Sequence, residues 1–182
     1  MPRPRTSDTR ARILEVALEL FAARGLQQTS LREIADRLGI TKPALYYHFS
    51  SRDDLVRSLV QPLVDDVEAH LSRPDRVGAP PRELLGEFFD LTYRHRAVTN
   101  LVVRELSTLG HLDLGARVIE WRLRLMALLT GPDPTLAAQT RAIVAVGGLA
   151  DCTIMFEDVP RAELRTAALD AACAALGLPP GG

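Results

Sequence analysis

The stretch of sequence that decides the fold runs from residue 29 to residue 55 and reads Thr29-Ser-Leu-Arg-Glu-Ile-Ala-Asp-Arg-Leu-Gly-Ile-Thr-Lys-Pro-Ala-Leu-Tyr-Tyr-His-Phe-Ser-Ser-Arg-Asp-Asp-Leu55. Within it, Ser30 is followed three residues later by Glu33. This spacing is typical of a capping box, in which each side chain accepts a hydrogen bond from the other residue's backbone N–H. The pattern predicts a helix that begins directly after Ser30 and ends near residue 38. The N–H groups at the start of such a helix are also suited to hold a phosphate.

A second short helix follows after a turn. Gly39 ends the first helix, because glycine adopts the left-handed backbone of a helix end at little cost. Thr41 is suited to cap the next helix, Pro43 fits its first turn, and the helix is predicted to end near His48. The two helices predict a helix-turn-helix, whose second helix fits the DNA major groove, although any helical hairpin can show the same pattern. The predicted shared core consists of Leu31, Ile34, Leu38, Ile40 and Leu45.

The run Lys-Pro-Ala-Leu-Tyr-Tyr-His-Phe at residues 42–49 is the most specific part of this stretch. With its surroundings, roughly residues 10–58, it closely resembles the DNA-binding domain of the TetR/AcrR family of bacterial transcriptional regulators. The resemblance implies an all-α protein of about nine helices. Residues 1–50 would form a three-helix DNA-binding domain, and residues 51–182 a helical ligand-binding and dimerisation domain. Helix 4, residues 51–71, would connect the two.

The resemblance also assigns roles to residues of the helix-turn-helix. Base contacts are implied for Thr41, Lys42, Pro43, Ala44 and Tyr46. Phosphate contacts are implied for Thr29, Ser30, Tyr47, His48 and Arg52. Arg32 would reach either a base or a phosphate. Three alternatives stay open: Ser30 acts only as a helix cap, Tyr46 belongs partly to the core, and His48 packs under helix 4.

Charge is distributed unevenly along the chain. Residues 1–58 contain ten basic and seven acidic side chains, a net charge of +3, whereas the remaining 12 basic and 16 acidic side chains give −4. A basic N-terminal part is compatible with double-stranded DNA as a partner, although a solvated surface explains such a difference equally well. Lys42 is the chain's only lysine, since every other basic residue is arginine.

The rest of the chain has a helical pattern and no convincing strand pattern. Pro62 interrupts the apolar ladder of helix 4 and is predicted to kink it. Helices are predicted near residues 9–23, 31–38, 41–48, 51–71, 82–95, 98–109, 113–129, 135–157 and 161–176.

The last two helices are rich in small residues that allow helices to approach closely. Helix 8 contains Ala142, Ala145, Gly147 and Gly148, and helix 9 contains a series of alanines that includes Ala172. The resemblance implies that both helices form a four-helix bundle with the same pair of a second subunit. Packing within one chain is the alternative. For a homodimer, glutamate at Ala145 or Ala172 is expected to separate the subunits.

The family resemblance implies an effector cavity, bordered by helices 5 and 8, for a small and apolar molecule. Its binding would release the protein, most often a repressor, from a palindromic operator. Aromatic, methionine and isolated polar residues are the candidate ligand contacts, each open to the simpler interpretation of a core or surface residue. They are Phe88, Tyr93, Arg104, His111, Trp121, Arg122, Met126, Asp151 and Met155.

Other classes of protein are weighed against this interpretation. Cys152 beside Asp151, with four scattered histidines, lacks the spacing of a Cys-His catalytic site, so no enzyme, metal site or cofactor is expected. A helical adaptor that binds only protein would lack the motif at residues 42–49. Residues 1–5 are not followed by an apolar segment, and no apolar run reaches about 18 residues, so a cytoplasmic protein without membrane contact is expected.

Overall fold

A computed structural model describes residues 6–105 and 114–179 of the chain, and all regular elements within these ranges are helices. The all-α fold class predicted from the sequence is confirmed. A short 3-10 turn, Pro74–Arg76, lies between α4 and α5. The helices are α1 (Thr6–Arg24), α2 (Leu31–Leu38), α3 (Lys42–His48), α4 (Arg52–Leu71), α5 (Pro81–Arg94), α6 (Arg96–Arg104), α7 (Leu114–Thr130), α8 (Leu136–Met155) and α9 (Arg161–Leu176).

The first of two compact units comprises Met1–Val64 and Asn100–Leu114. Its helices α1, α2 and α3, called the head below, pack α1 on α2 and α2 on α3. The first half of α4 adds an apolar face to the same unit, because residues spaced three and four apart lie on one side of a helix. The buried side chains of this unit include Ile13, Ala17, Phe21, Ile34, Leu45, Phe49, Leu55, Val56 and Leu59.

The second unit comprises Asp65–Thr99 and Gly115–Gly182. Here α8 packs along α9, and α5 packs on both. Alanines and one cysteine on the facing sides allow the close approach of α8 and α9. The core cluster between these helices and α7 consists of Leu85, Phe89, Leu125, Ala145, Val146, Leu149, Leu164, Ala168, Leu169, Ala172 and Cys173.

The structure differs from the sequence prediction at several boundaries. The units divide after Val64 rather than after residue 50, because the apolar face of α4 before that point is buried with the head. Helix α6 ends at Arg104, whereas it was predicted to continue to residue 109. Helix α4, by contrast, spans Arg52–Leu71 close to its predicted bounds, with Pro62 inside it. In the described part of the chain, no helix has the length and apolar character needed to cross a membrane.

Candidate DNA-binding site

The start of α2 is fixed by the capping box that the sequence predicted. The Ser30 hydroxyl accepts a hydrogen bond from the Glu33 N–H at 3.1 Å, and the Glu33 carboxylate accepts one from the Ser30 N–H at 2.7 Å. These bonds, with a smaller contribution from Arg24, hold the pKa of Glu33 below its ordinary value. Because the folded pKa is lowered, the stabilisation is present above the ordinary carboxyl pKa. It is lost as the pH falls through the lowered value.

The turn between α2 and α3 depends on backbone conformation rather than on lack of space. Gly39 has a φ of 66°, in the left-handed region, and its N–H is directed to the carbonyls of Ala35 and Asp36. A Cβ atom at Gly39 would meet nothing within 4 Å, so the positive φ is what favours glycine here. Thr41 then caps α3 by accepting a hydrogen bond from the Ala44 N–H at 3.3 Å.

Helix α3 presents nearly all of its side chains to solvent. Leu45 anchors the helix in the core of the first unit. Tyr46 is 42% exposed and Tyr47 80% exposed, which places neither of them in the core. The Lys42 ammonium lies 5.6 Å from the centre of the Tyr46 ring, over its face. Thr41, Lys42, Pro43 and Ala44 are also exposed, so all of the predicted base-contacting residues are accessible to solvent.

The predicted phosphate contacts have different environments. Ser30, Arg32 and Tyr47 are exposed, and Arg52 is partly exposed. His48 is half-buried and meets the Tyr47 ring edge-on at 5.4 Å.

Thr29 corrects the prediction for its position. Its side chain is buried, and its hydroxyl donates to the carbonyl oxygens of Leu20 and Gly25, at 3.3 and 3.0 Å. The hydroxyl therefore satisfies carbonyls at the end of α1 rather than facing a phosphate.

Arg10 is a residue of the head to which the sequence analysis gave no role. Its guanidinium donates to the Ser58 hydroxyl at 2.9 Å and lies over the Phe49 ring, 4.8 Å from the ring centre. Arg10 thereby joins α1 to α4 and to the residue that ends α3. The partners lie 39 and 48 positions away, so no local pattern indicates this contact.

The buried candidate ligand contacts lie in or near the core of the second unit. Phe88 and Tyr93 pack against the α5–α8–α9 core cluster, and Tyr93 stacks on Phe89 with ring centres 5.7 Å apart. Trp121 is buried and donates its ring N–H to Glu68 at 2.6 Å. Met126 is half-buried. Phe88, Tyr93 and Trp121 therefore have protein partners within the second unit.

The other candidate ligand contacts have different environments. Arg104 lies in the first unit, where it is directed to the Ala22 carbonyl. Arg122, Asp151 and Met155 are exposed, and His111 lies outside the described residues. Within the second unit, the exposed positions of Arg122, Asp151 and Met155 place these three side chains outside its core.

Cys152 has an environment that opposes nucleophilic chemistry. Burial, and to a lesser extent the charge of Asp151, raise the pKa of its thiol above the ordinary value. A raised pKa lowers the fraction of reactive thiolate at neutral pH. Among the described residues, no three His, Cys, Asp or Glu side chains are grouped so that they could hold a metal ion.

Comparison with known proteins identifies the helix-turn-helix. Residues 13–59 match the model of the tetR family of bacterial regulatory proteins. The chain is 41% identical over 61 residues to the transcriptional repressor KstR2 of Rhodococcus jostii. This match covers 34% of this chain and 30% of the relative. It is 36% identical over 92 residues to KstR2 of Mycobacterium tuberculosis, and this match covers 48% of this chain and 46% of the relative. The matches thus span less than half of these relatives.

Solved structures share the fold over almost the entire chain. A TerR/AcrR-family transcriptional regulator from Aquifex aeolicus superposes with a TM-score of 0.73 at 24% identity, covering 90% of this chain and 96% of the other. The ketosteroid regulator KstR2 of Mycobacterium tuberculosis gives a TM-score of 0.74 at 22% identity, covering 95% of each. At such identities the likeness concerns the fold alone. Residues 13–59 therefore match a DNA-binding domain of the tetR family, within a chain that has the fold of these solved regulators.

Proposed function

We propose that this chain is a transcriptional regulator that binds a palindromic DNA operator as a homodimer and releases it when a small molecule binds. The observation that carries the proposal is the exposure of Lys42, Tyr46 and Tyr47 on α3, a helix that is held in the core of the first unit by the buried Leu45. An α-helix that presents polar and aromatic side chains in this way fits the major groove. Repression is the proposed outcome because the KstR2 relatives are named as repressors.

The roles of the exposed residues follow from the chemistry of the two surfaces of DNA. Lys42 is placed to donate to guanine O6 or N7, while Pro43 and Ala44 offer apolar contact to thymine methyl groups. Arg52, at the start of α4, and the N–H groups at the start of α2 suit phosphate oxygens, which position a protein without reading sequence.

Support for the homodimer comes from an apolar surface on α8 and α9. Ile143 is 55% exposed and Val144 62% exposed, and neither glycine that follows them has an atom within 4 Å of its Cβ position. Alanines one and two turns apart are exposed on α9. We call the set of these residues the outer stripe: Ile143, Val144, Gly147, Gly148, Ala167, Ala171 and Ala174.

The outer stripe corrects the choice of interface residues made from the sequence. Ala145 and Ala172 are buried in the core of one subunit, at 1% and 4% exposure. Glutamate at either position would therefore destabilise the subunit itself rather than test the interface. The small residues of α8 serve both surfaces: Ala145 faces the intrachain core, and Gly148 lies in the outer stripe.

Lys42→Ala is expected to weaken binding to the preferred operator about tenfold and to relax sequence preference at one base pair of each half-site. Arg52→Ala is the matched comparison, because a lost phosphate contact weakens binding to all sequences and reduces the slope of affinity against salt by about one. Selection of bound DNA from a random library, followed by titrations at several salt concentrations, measures both. An unchanged sequence logo for Lys42→Ala would remove its base-reading role.

We propose that the effector occupies a cleft of about 390 Å³ between the second half of α4 and α5. This volume lies in the range of small-molecule sites. The cleft is lined by charged groups and by Ala69 and Leu91, so it favours a molecule with polar groups over the purely apolar one expected from the sequence. His70 lines the cleft, and its buried Nε2 atom has no hydrogen-bond partner. The charged lining residues are Asp66, Arg73, Glu87, Asp90 and Arg94.

Ala69→Trp is expected to fill this cleft and to abolish the response to the effector while leaving operator affinity unchanged. Ala127→Trp, at an exposed position of α7, is the control for a surface tryptophan. A thermal-shift screen of small amphiphilic acids and amines identifies a stabilising compound, and operator release is then titrated with it. Full release from the Ala69→Trp variant would place the effector elsewhere.

A further inference from the structure

The end of α1 has polar backbone groups that the helix itself cannot satisfy. A helix leaves its last carbonyls without N–H partners, and the chain that follows must also place its N–H groups. Gly25 continues past the helix end with a φ of 83°, and its N–H donates to the Phe21 carbonyl at 2.8 Å. The next residue, Leu26, is buried at 2% exposure, so its backbone N–H needs a partner within the protein.

Arg104, the last residue of α6, and the adjacent Glu105 provide these partners. A carboxylate oxygen of Glu105 accepts a hydrogen bond from the Leu26 N–H at 3.3 Å. The neighbouring Arg104 guanidinium donates to the Ala22 carbonyl at 3.4 Å. Both residues belong to the same compact unit as the head. The end of α6 therefore completes the polar contacts at the end of α1.

Gly25 shows how closely the carboxylate approaches the head. A Cβ atom at this position would lie 2.9 Å from the Glu105 carboxylate oxygen, closer than real Cβ contacts. The positive φ favours glycine at this position, and a Cβ atom there would also displace the flexible Glu105 side chain. Elsewhere the two effects are separate: Gly78 has the same φ of 83° and nothing within 4 Å.

We infer that Glu105 is a positioning residue for DNA recognition. Since α1 packs on α2 and α2 on α3, a bond that fixes the junction of α1 and α2 also fixes the position from which α3 meets DNA. Along the chain, α6 begins in the second unit and ends in the first, so Glu105 stands where the chain re-enters the unit that contains the head. This inference rests on the proposed DNA binding.

The charge of Glu105 makes the inference testable. Removal of a carboxylate makes the protein less negative, which on electrostatic grounds alone strengthens binding to a polyanion. A positioning role predicts the opposite: Glu105→Ala weakens binding to DNA selected by the wild-type protein, about tenfold or more for one lost bond to a charged group. Glu105→Gln, which retains an acceptor oxygen, restores most of the affinity. Glu19→Ala removes an exposed carboxylate of α1 and leaves the affinity equal or higher.

Hydrogen exchange of the Leu26 amide provides a readout that does not require DNA. In the full-length chain, exchange at Leu26 is expected to be about tenfold faster in Glu105→Ala than in the wild type and near wild type in Glu105→Gln. If the wild type selects no DNA, the proposed function fails, while the exchange rate still decides whether Glu105 holds the junction. If the alanine variant does not fold, Glu105→Asp decides, because its shorter side chain draws the carboxylate away from the Leu26 N–H. Weaker operator binding and faster exchange then support the role, and wild-type values contradict it.

A pair of glycine variants checks the same contact from the other side. Gly25→Ala is expected to lower the free energy of unfolding more than Gly78→Ala, because only its Cβ atom would displace the Glu105 carboxylate from the Leu26 N–H. In the Glu105→Ala background the excess should disappear. Undiminished operator affinity and Leu26 protection in Glu105→Ala, or an excess cost of Gly25→Ala that persists without Glu105, would overturn the inference.

Discussion

Arg76→Ala is expected to lower the free energy of unfolding of the second unit by about 3 kcal/mol, the lower end of the cost of breaking a buried ion pair. Arg76 is 1% exposed although it lies in the short turn after α4. Its Nη2 donates to one Glu87 carboxylate oxygen at 3.0 Å, and its Nη1 lies 2.6 Å from the other. The partner is one-third exposed, so water compensates part of the loss.

The neighbours of this pair raise the cost of breaking it. His70 Nδ1 lies 3.4 Å from the Glu87 carboxylate, and burial lowers the pKa of the imidazole. A neutral imidazole cannot replace the charge of Arg76, so Glu87 would remain without a full cationic partner. The turn that begins at Pro74 would then lose its only fully buried charged anchor among the described residues.

Arg73→Ala is the matched control for this experiment. Arg73 belongs to the same turn, and its guanidinium forms two hydrogen bonds with Asp75, at 3.1 and 2.6 Å, but both side chains are more than half exposed. Exposed pairs contribute little because water and salt screen them. Denaturant unfolding followed by circular dichroism should therefore leave Arg73→Ala at the wild-type value. Equal stability of the two variants would show that the Arg76–Glu87 pair does not hold the turn.

The head was predictable because its determinants are local. The capping box of Ser30 and Glu33, the left-handed Gly39 and the Thr41 cap each act within four residues, and each lies in the structure where the sequence placed it. Local determinants can be read from a single sequence, since no knowledge of the fold is needed.

Contacts between distant positions could not be predicted in this way. The resemblance implied a phosphate contact for Thr29. In the folded chain its hydroxyl instead donates to two carbonyls near the end of α1, those of Leu20 and Gly25. The Arg10–Ser58 and Leu26–Glu105 bonds join residues 48 and 79 positions apart. Nothing in the spacing of these residues distinguishes them from ordinary surface charges.

Candidate ligand contacts could not be distinguished from core residues in the sequence, for a related reason. Aromatic and methionine residues in a sequence indicate an apolar interior, but they do not show whether that interior is a packed core or contains a cavity. Trp121 was a candidate contact, yet its ring N–H is satisfied by Glu68, whose pKa is held low by hydrogen bonds from Arg124 and Trp121. The charged cleft between α4 and α5 could not be predicted, because in the sequence its residues resemble a solvated helix face.

Val144→Glu is expected to convert a homodimer into monomers and to weaken operator binding about a hundredfold or more. A dimer engages two half-sites centred about 34–36 Å apart, and loss of the second contact removes the gain in effective concentration that linkage provides. Val144 is 62% exposed in one chain, so a glutamate there is solvated in the monomer, whereas in the proposed interface it would be buried without a partner. Light scattering gives the mass, and a titration with the selected operator gives the affinity.

Ile119→Glu separates this effect from the general effect of adding a charge. Ile119 is also 62% exposed, but it lies on α7, outside the outer stripe. Both variants add one negative charge, so both lose the same electrostatic contribution to DNA binding, and the difference between them reports dimerisation alone. Unchanged far-ultraviolet circular dichroism in each would confirm that the subunit fold is intact. A Val144→Glu protein that remains dimeric at micromolar concentration would exclude the outer stripe as the interface, and dissociation of Ile119→Glu would move that interface to α7.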